Sequence, residues 1–165
     1  MSRLTSDAAA LILRIAAGAI FLPHGWSKVF GEGGAAAFAT DISANYGLPL
    51  FLGHLAAWTE VVGAVLLVVG LLTRLDALLL SGTMFVAAFV VQLPDALYEV
   101  PPGSIKFFVA MRGIELPLAL LAICLSLVLT GGGRASLDHA LGLDERARRL
   151  VSRKSVVSSE LKIET

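Results

Sequence analysis

Four apolar runs, each long enough to cross a bilayer, constrain this chain more than anything else in it. They lie at about 8–30, 51–73, 77–94 and 107–130. A hydrocarbon core about 30 Å thick needs about 20 consecutive apolar residues to cross as a helix. Strands would need only about 10 residues of alternating character, and these are continuous runs. In lipid the backbone must be satisfied inside a helix or a closed barrel, so four spanning helices follow. The expected fold is all-α, a polytopic membrane protein with a four-transmembrane-helix bundle. Charge placement agrees. Of the 26 Lys, Arg, Asp and Glu residues, 12 fall among the 126 residues at 8–133 and another 12 among the last 32. Such a chain is no disordered segment, nucleic-acid-binding domain or ordinary soluble enzyme. Its single cysteine excludes a disulfide framework and a Cys-based metal site.

Lys and Arg near the span ends set the expected orientation. Arg3, Arg74, Arg134, Arg146, Arg148 and Arg149 collect on one side. Lys28 and Lys106 lie on the other, mixed with Glu32, Asp41, Asp95 and Glu99. Both termini are therefore expected in the cytoplasm, in a bacterial cytoplasmic (inner) membrane. Arg3 and an Ala37-Phe38-Ala39 site would also fit a signal peptide. Against that, Arg14 interrupts the apolar run, and His24, Lys28 and Glu32 precede the site. Thr73-Arg74-Leu75-Asp76 reads as a short hairpin joining antiparallel spans two and three. The connection at 31–50 contains a plausible surface helix, Gly34 to Tyr46, and Pro101-Pro102-Gly103 marks a turn before span four. The residues divide into a transmembrane domain, 1–133, and a basic cytoplasmic tail, 134–165. In the tail Ser136 caps a short helix with Leu137, Leu141, Leu150 and Val151 on an apolar side. The tail either lies on anionic headgroups or is simply solvated with a disordered end.

Ionisable residues within spans are costly and mark the bundle interior. At about 1.5 Å per residue, Glu60 lies about 13 Å from the outer end of span two, and Glu115 about 12 Å from Phe107. Arg112 lies one turn above Glu115, His24 about 9 Å into span one, and Lys28 nearer the surface. These five, Glu60, Glu115, Arg112, His24 and Lys28, form the candidate polar or ligand-binding cluster. Ala56, Glu60, Gly63, Leu67 and Gly70 make one stripe, and Arg14, Gly18, Phe21, Gly25 and Lys28 a matching one. Without a cation nearby, Glu60 should be protonated and able to donate to a carbonyl. A purely structural Glu60 is the competing reading. Arg112 pairs with Glu60 or with Glu115. Arg14 and Lys28 either join the interior or snorkel to headgroups, and Arg74 is a structural or headgroup residue. His24 as a metal ligand has no supporting spacing to His54 or His139, so no metal site is assigned, and Cys124 reads as packing. No CxxC, Rossmann glycine pattern or Walker A motif occurs. No catalytic residue is assigned.

An ordered set of short motifs resembles the DoxX family of small bacterial four-helix membrane proteins. It begins with Leu13-Arg14, Pro23-His24-Gly25-Trp26-Ser27-Lys28-Val29-Phe30-Gly31 and Gly47-Leu48-Pro49. Glu60 with Gly63, Gly70-Leu71-Leu72-Thr73-Arg74 and Glu115 follow, and then Gly131-Gly132-Gly133-Arg134-Ala135-Ser136-Leu137-Asp138. The resemblance covers about 10–140. It implies a tie to membrane redox systems: DoxD-type relatives are subunits of a thiosulfate:quinone oxidoreductase. MauE-like relatives are linked to disulfide chemistry, which one cysteine cannot carry here. The expected function is an accessory or quinone-interacting component of a membrane-bound oxidoreductase or electron-transfer complex, more a non-catalytic subunit than a stand-alone enzyme. It would have no cofactor of its own, a quinone as ligand, and other membrane or peripheral redox subunits as partners. A purely structural subunit and a small-solute carrier are the alternatives.

Overall fold

The computed structural model describes residues 3–98 and 105–143. The chain forms α1 (Arg3–Phe30), α2 (Gly34–Tyr46), α3 (Leu50–Val69) and α4 (Thr73–Val86). A π-helical turn (Ala87–Gln92) then leads into α5 (Leu93–Tyr98), followed by α6 (Ile105–Thr130) and a short α7 (Leu137–Ala140). No strand occurs among the described residues. Four helical stretches are long and apolar enough to span a membrane: Thr5–Phe30, Leu50–Val69, Thr73–Leu97 and Met111–Thr130. α2 matches the surface helix expected at Gly34 to Tyr46.

Two tight helix pairs make the bundle: α1 on α3 and α4 on α6. Between helices in lipid no hydrophobic force drives association, so close van der Waals fit must, and small residues permit it. Glycines on α1 supply that fit. A β-carbon on Gly18 would lie 2.5 Å from the Val68 side chain, and one on Gly25 would lie 2.7 Å from the Val61 nitrogen. Arg14, Ala17, Phe21 and Gly25 are buried along this seam, facing Ala57, Glu60, Ala64 and Leu67 of α3. α2 crosses one end of the bundle, with Ala39 pressed on Gly53 so closely that a β-carbon there would meet the Ala39 Cα at 2.6 Å. The core continues through Leu80, Met84, Leu120, Cys124 and Leu127. Large side chains such as Ile12, Phe51, Val62, Leu79 and Leu129 point outward, as a lipid-facing surface requires.

The hairpin between α3 and α4 sits three residues earlier than the sequence suggested. Gly70, at φ 71°, ends α3 in the left-handed conformation, and its N–H and that of Leu71 donate back to α3 carbonyls. Leu72 also has a positive φ, 51°. The N–H groups of Leu72 and Thr73 donate to the two Asp138 carboxylate oxygens at 2.6 and 2.8 Å. Thr73 to Asp76 is therefore the first turn of α4. The cap that starts it comes from 65 residues away, which no local pattern reveals.

Asp138 also moves the boundary between membrane domain and tail. Residues 134–143 belong to the hairpin end of the bundle: the Asp138 N–H donates to the Gly70 carbonyl, and the Arg134 N–H to Asp7 Oδ1. Ser136 caps α7 as expected, accepting from the His139 N–H at 3.2 Å. Leu150, Val151 and the basic residues from Arg146 onward lie outside the described residues.

Candidate functional site

The polar residues named from sequence divide between the two ends of the bundle. At the hairpin end Arg14 is 1% exposed, so it does not snorkel to headgroups. Its Nε donates to the Leu67 carbonyl and its Nη2 to the Val68 carbonyl, at 2.8 and 2.7 Å. Nη1 donates to the Gly132 and Ala135 carbonyls at 2.7 and 3.0 Å. The last carbonyls of α3 have no partner inside their own helix, and the planar guanidinium fork satisfies two of them while gripping the loop after α6. Gly70 must be glycine twice over: its φ is positive, and a β-carbon would lie 2.5 Å from the guanidinium carbon. Arg74 does the same for α6, donating to the Val128 carbonyl at 2.8 Å and toward that of Thr130 at 3.4 Å.

At the α2 end Lys28 Nζ donates to Glu60 Oε1 at 2.5 Å, an ion pair across the α1–α3 seam. The Glu60 side chain is 2% exposed and that of Lys28 25%. Depth counted from each helix's own end separated these two residues, but α1 stops short of the start of α3. Gly25 already lies level with Glu60 and Val61, and so Lys28, one turn on, reaches the carboxylate. Glu60 is therefore not an isolated acid: a cation reaches it. Lys28 Nζ also stands 5.0 Å from the centre of the Phe38 ring, so α2 helps hold the ammonium. The other carboxylate oxygen, Glu60 Oε2, is buried with no hydrogen-bond partner among the described residues.

This pair lines a cleft of about 440 Å³ between α3 and α4, walled at one side by α2. The walls are mostly apolar, with Thr59, Thr83 and Gln92 adding polar groups. α3 and α4 touch closely near their hairpin, where a β-carbon on Gly63 would lie 2.7 Å from Asp76 Oδ1 and 3.1 Å from Leu80. Farther along, Gly82 faces the cleft, and a β-carbon there would meet nothing within 4 Å. The π-helical turn supplies Ala87, Val91 and Gln92 to the same wall. Such turns recur at functional sites, since the extra residue re-aims the side chains around it.

The remaining members of the expected cluster do not join. His24, Arg112 and Glu115 are all exposed, and neither Arg112 nor Glu115 forms a hydrogen bond or ion pair among the described residues. Arg112 therefore pairs with neither acid. The buried face of this part of α6 is set by Ile114, and Glu115, one residue on, turns away from it. The cluster is two residues rather than five. Conversely, Asp76 and Asp138 were read as loop and tail charges, yet both are 4% exposed. The cleft itself had one trace in sequence, Gly82, the only glycine in the charge-free run at 77–94.

The DoxX family model matches residues 9–93. A curated protein of Bacillus subtilis (strain 168), named "Putative oxidoreductase CatD", is 33% identical over 128 residues, which is 78% of this chain and 83% of that protein. This chain belongs to the DoxX family. No solved structure matches it significantly. The DoxX match contains Arg14, Lys28, Glu60 and both walls of the cleft. It ends before Arg112, Glu115 and Asp138.

Proposed function

We propose that this DoxX protein is an accessory, quinone-interacting component of a membrane-bound oxidoreductase, and that the cleft between α3 and α4 receives the quinone ring. The observation that carries this reading is the Lys28–Glu60 pair set in the wall of an apolar cleft of about 440 Å³. Ligand sites are typically apolar hollows of about 300–1,000 Å³ with a few fixed polar groups. An apolar ring with oxygens at its edge suits such walls, and the Lys28 ammonium is a donor for a ring oxygen. Lipid-facing sides would let a ligand with a long apolar tail enter from the bilayer. The relative named as an oxidoreductase supports a redox setting. The electron donor belongs to a partner subunit, since the sequence carries one cysteine and no nucleotide motif. The excess of Lys and Arg at the hairpin end, Arg74 and Arg134 among them, supports a reading in which that end faces the cytoplasm of a bacterial inner membrane.

Purification in mild detergent, followed by mass spectrometry, tests the reading. It expects a copurifying cofactor-bearing subunit and a bound quinone that Gly82→Leu removes. A chain that emerges alone and empty, and takes up no added quinone, sinks it. If assembly persists while quinone never binds, the purely structural role holds instead.

A further inference from the structure

We infer that the cleft takes its ring in the reduced, hydroxyl-bearing form, the quinol, in preference to the quinone. This rests on the cleft being the quinone site and concerns which oxidation state that site holds. Lys28 already occupies Glu60 Oε1 at 2.5 Å, and Oε2 is buried without a donor. A carboxylate oxygen accepts hydrogen bonds and cannot give one. Glu60 lines the cleft, so an occupant that meets Oε2 must bring an O–H or N–H, or leave a buried acceptor unsatisfied at a real cost in affinity. A quinone edge carries only carbonyl oxygens. They can accept from Lys28 Nζ, but against Glu60 Oε2 they set lone pairs facing lone pairs. A quinol hydroxyl does both jobs: its hydrogen goes to Oε2 and its oxygen accepts from the ammonium. Thr59 and Gln92 can donate to a ring oxygen of either form, so they do not separate quinone from quinol. The Thr83 hydroxyl is engaged with the Leu80 carbonyl at 2.9 Å. The space is available, because Gly82 opens onto the cleft with nothing within 4 Å of a β-carbon.

The test is equilibrium binding of three probes with one decyl tail to the full chain in nanodiscs under anaerobic conditions: a decyl quinone, its quinol, and the dimethyl ether of that quinol. The ether keeps the ring and its oxygens and lacks the O–H. The quinol is expected to bind about tenfold or more tighter than either of the others, the usual worth of a hydrogen bond to a buried charged acceptor. In Glu60→Gln the amide both donates and accepts, so the quinone should gain and the gap should close. Quinone or ether binding as tightly as the quinol to the unaltered protein overturns the inference and leaves the quinone site standing. Failure of all three to bind overturns the site and the inference together. The unaltered protein decides between these outcomes even if Glu60→Gln fails to fold.

Discussion

The two ends of this bundle both bury charge, and they differ in whether space lies beside it. At the hairpin end Arg14 is enclosed by four carbonyls, and Asp138 by the N–H groups of Leu72 and Thr73. Among the described residues Asp76 Oδ2, Thr73 Oγ1 and Asp7 Oδ2 do lack partners there, but none of the three belongs to a residue that lines the cleft, and Gly63 stands hard against the Asp76 carboxylate. At the α2 end Lys28 and Glu60 have one bond between them, and the orphaned Glu60 oxygen belongs to a residue that lines a cleft. The lesson is that a buried charge alone does not mark a binding site. An unsatisfied group on a residue that lines a cleft is the better mark, since a ligand there can complete the bonding.

The comparison is broken most severely at Arg14. Arg14→Met should remove donors from four carbonyls, of which that of Leu67 keeps the Gly70 N–H, and free the 131–136 loop, costing about 3–5 kcal/mol and leaving little folded protein, as read by thermal unfolding in detergent. Arg14→Lys should recover only part of this, because an ammonium cannot span the same fork of acceptors. Asp138→Ala removes the cap from α4 and should cost about 1–2 kcal/mol in the same assay. At the other end the double change Lys28→Met with Glu60→Leu should alter stability by less than about 1.5 kcal/mol, since a buried pair replaced by apolar groups is often neutral or better. Quinol binding should nevertheless disappear. A large loss of stability there would make the pair a lock like Arg14 and erase the distinction. Gly82→Leu should fill the cleft and abolish binding with little change in unfolding temperature, measured by probe titration beside a melting curve. The smallest effects belong to His24→Ala, Arg112→Ala and Glu115→Ala, each expected within about 0.5 kcal/mol and without effect on probe binding. An effect from Glu115→Ala on probe binding would restore the five-residue cluster.

Much of the fold was legible because lipid simplifies the problem. Spans follow from run length, and the glycine seam on α1 follows from the spacing of Gly18 and Gly25. α2 could be placed as well, at Gly34 to Tyr46. The site was legible only in part. Glu60 stood out as the charge deepest in span two, and Lys28 was named with it, but their pairing depends on the stagger between α1 and α3. Periodicity gave Glu115 a depth and could not say which way it turned.

By itself the sequence determined what the bilayer demands: four apolar helices, the small residues where they meet, and a handful of charges too costly to bury without partners. Tertiary structure alone decided who those partners are. Arg14 meets chain 118 and 121 residues away, and Asp138 starts a helix 65 residues before it. Helix propensity and hydropathy act over a few turns, whereas stagger, docking of the 134–143 segment and the divergence of α3 from α4 are set by how whole helices pack. The cleft beside Glu60 is a consequence of that divergence, and a space between helices has no residues of its own in the sequence.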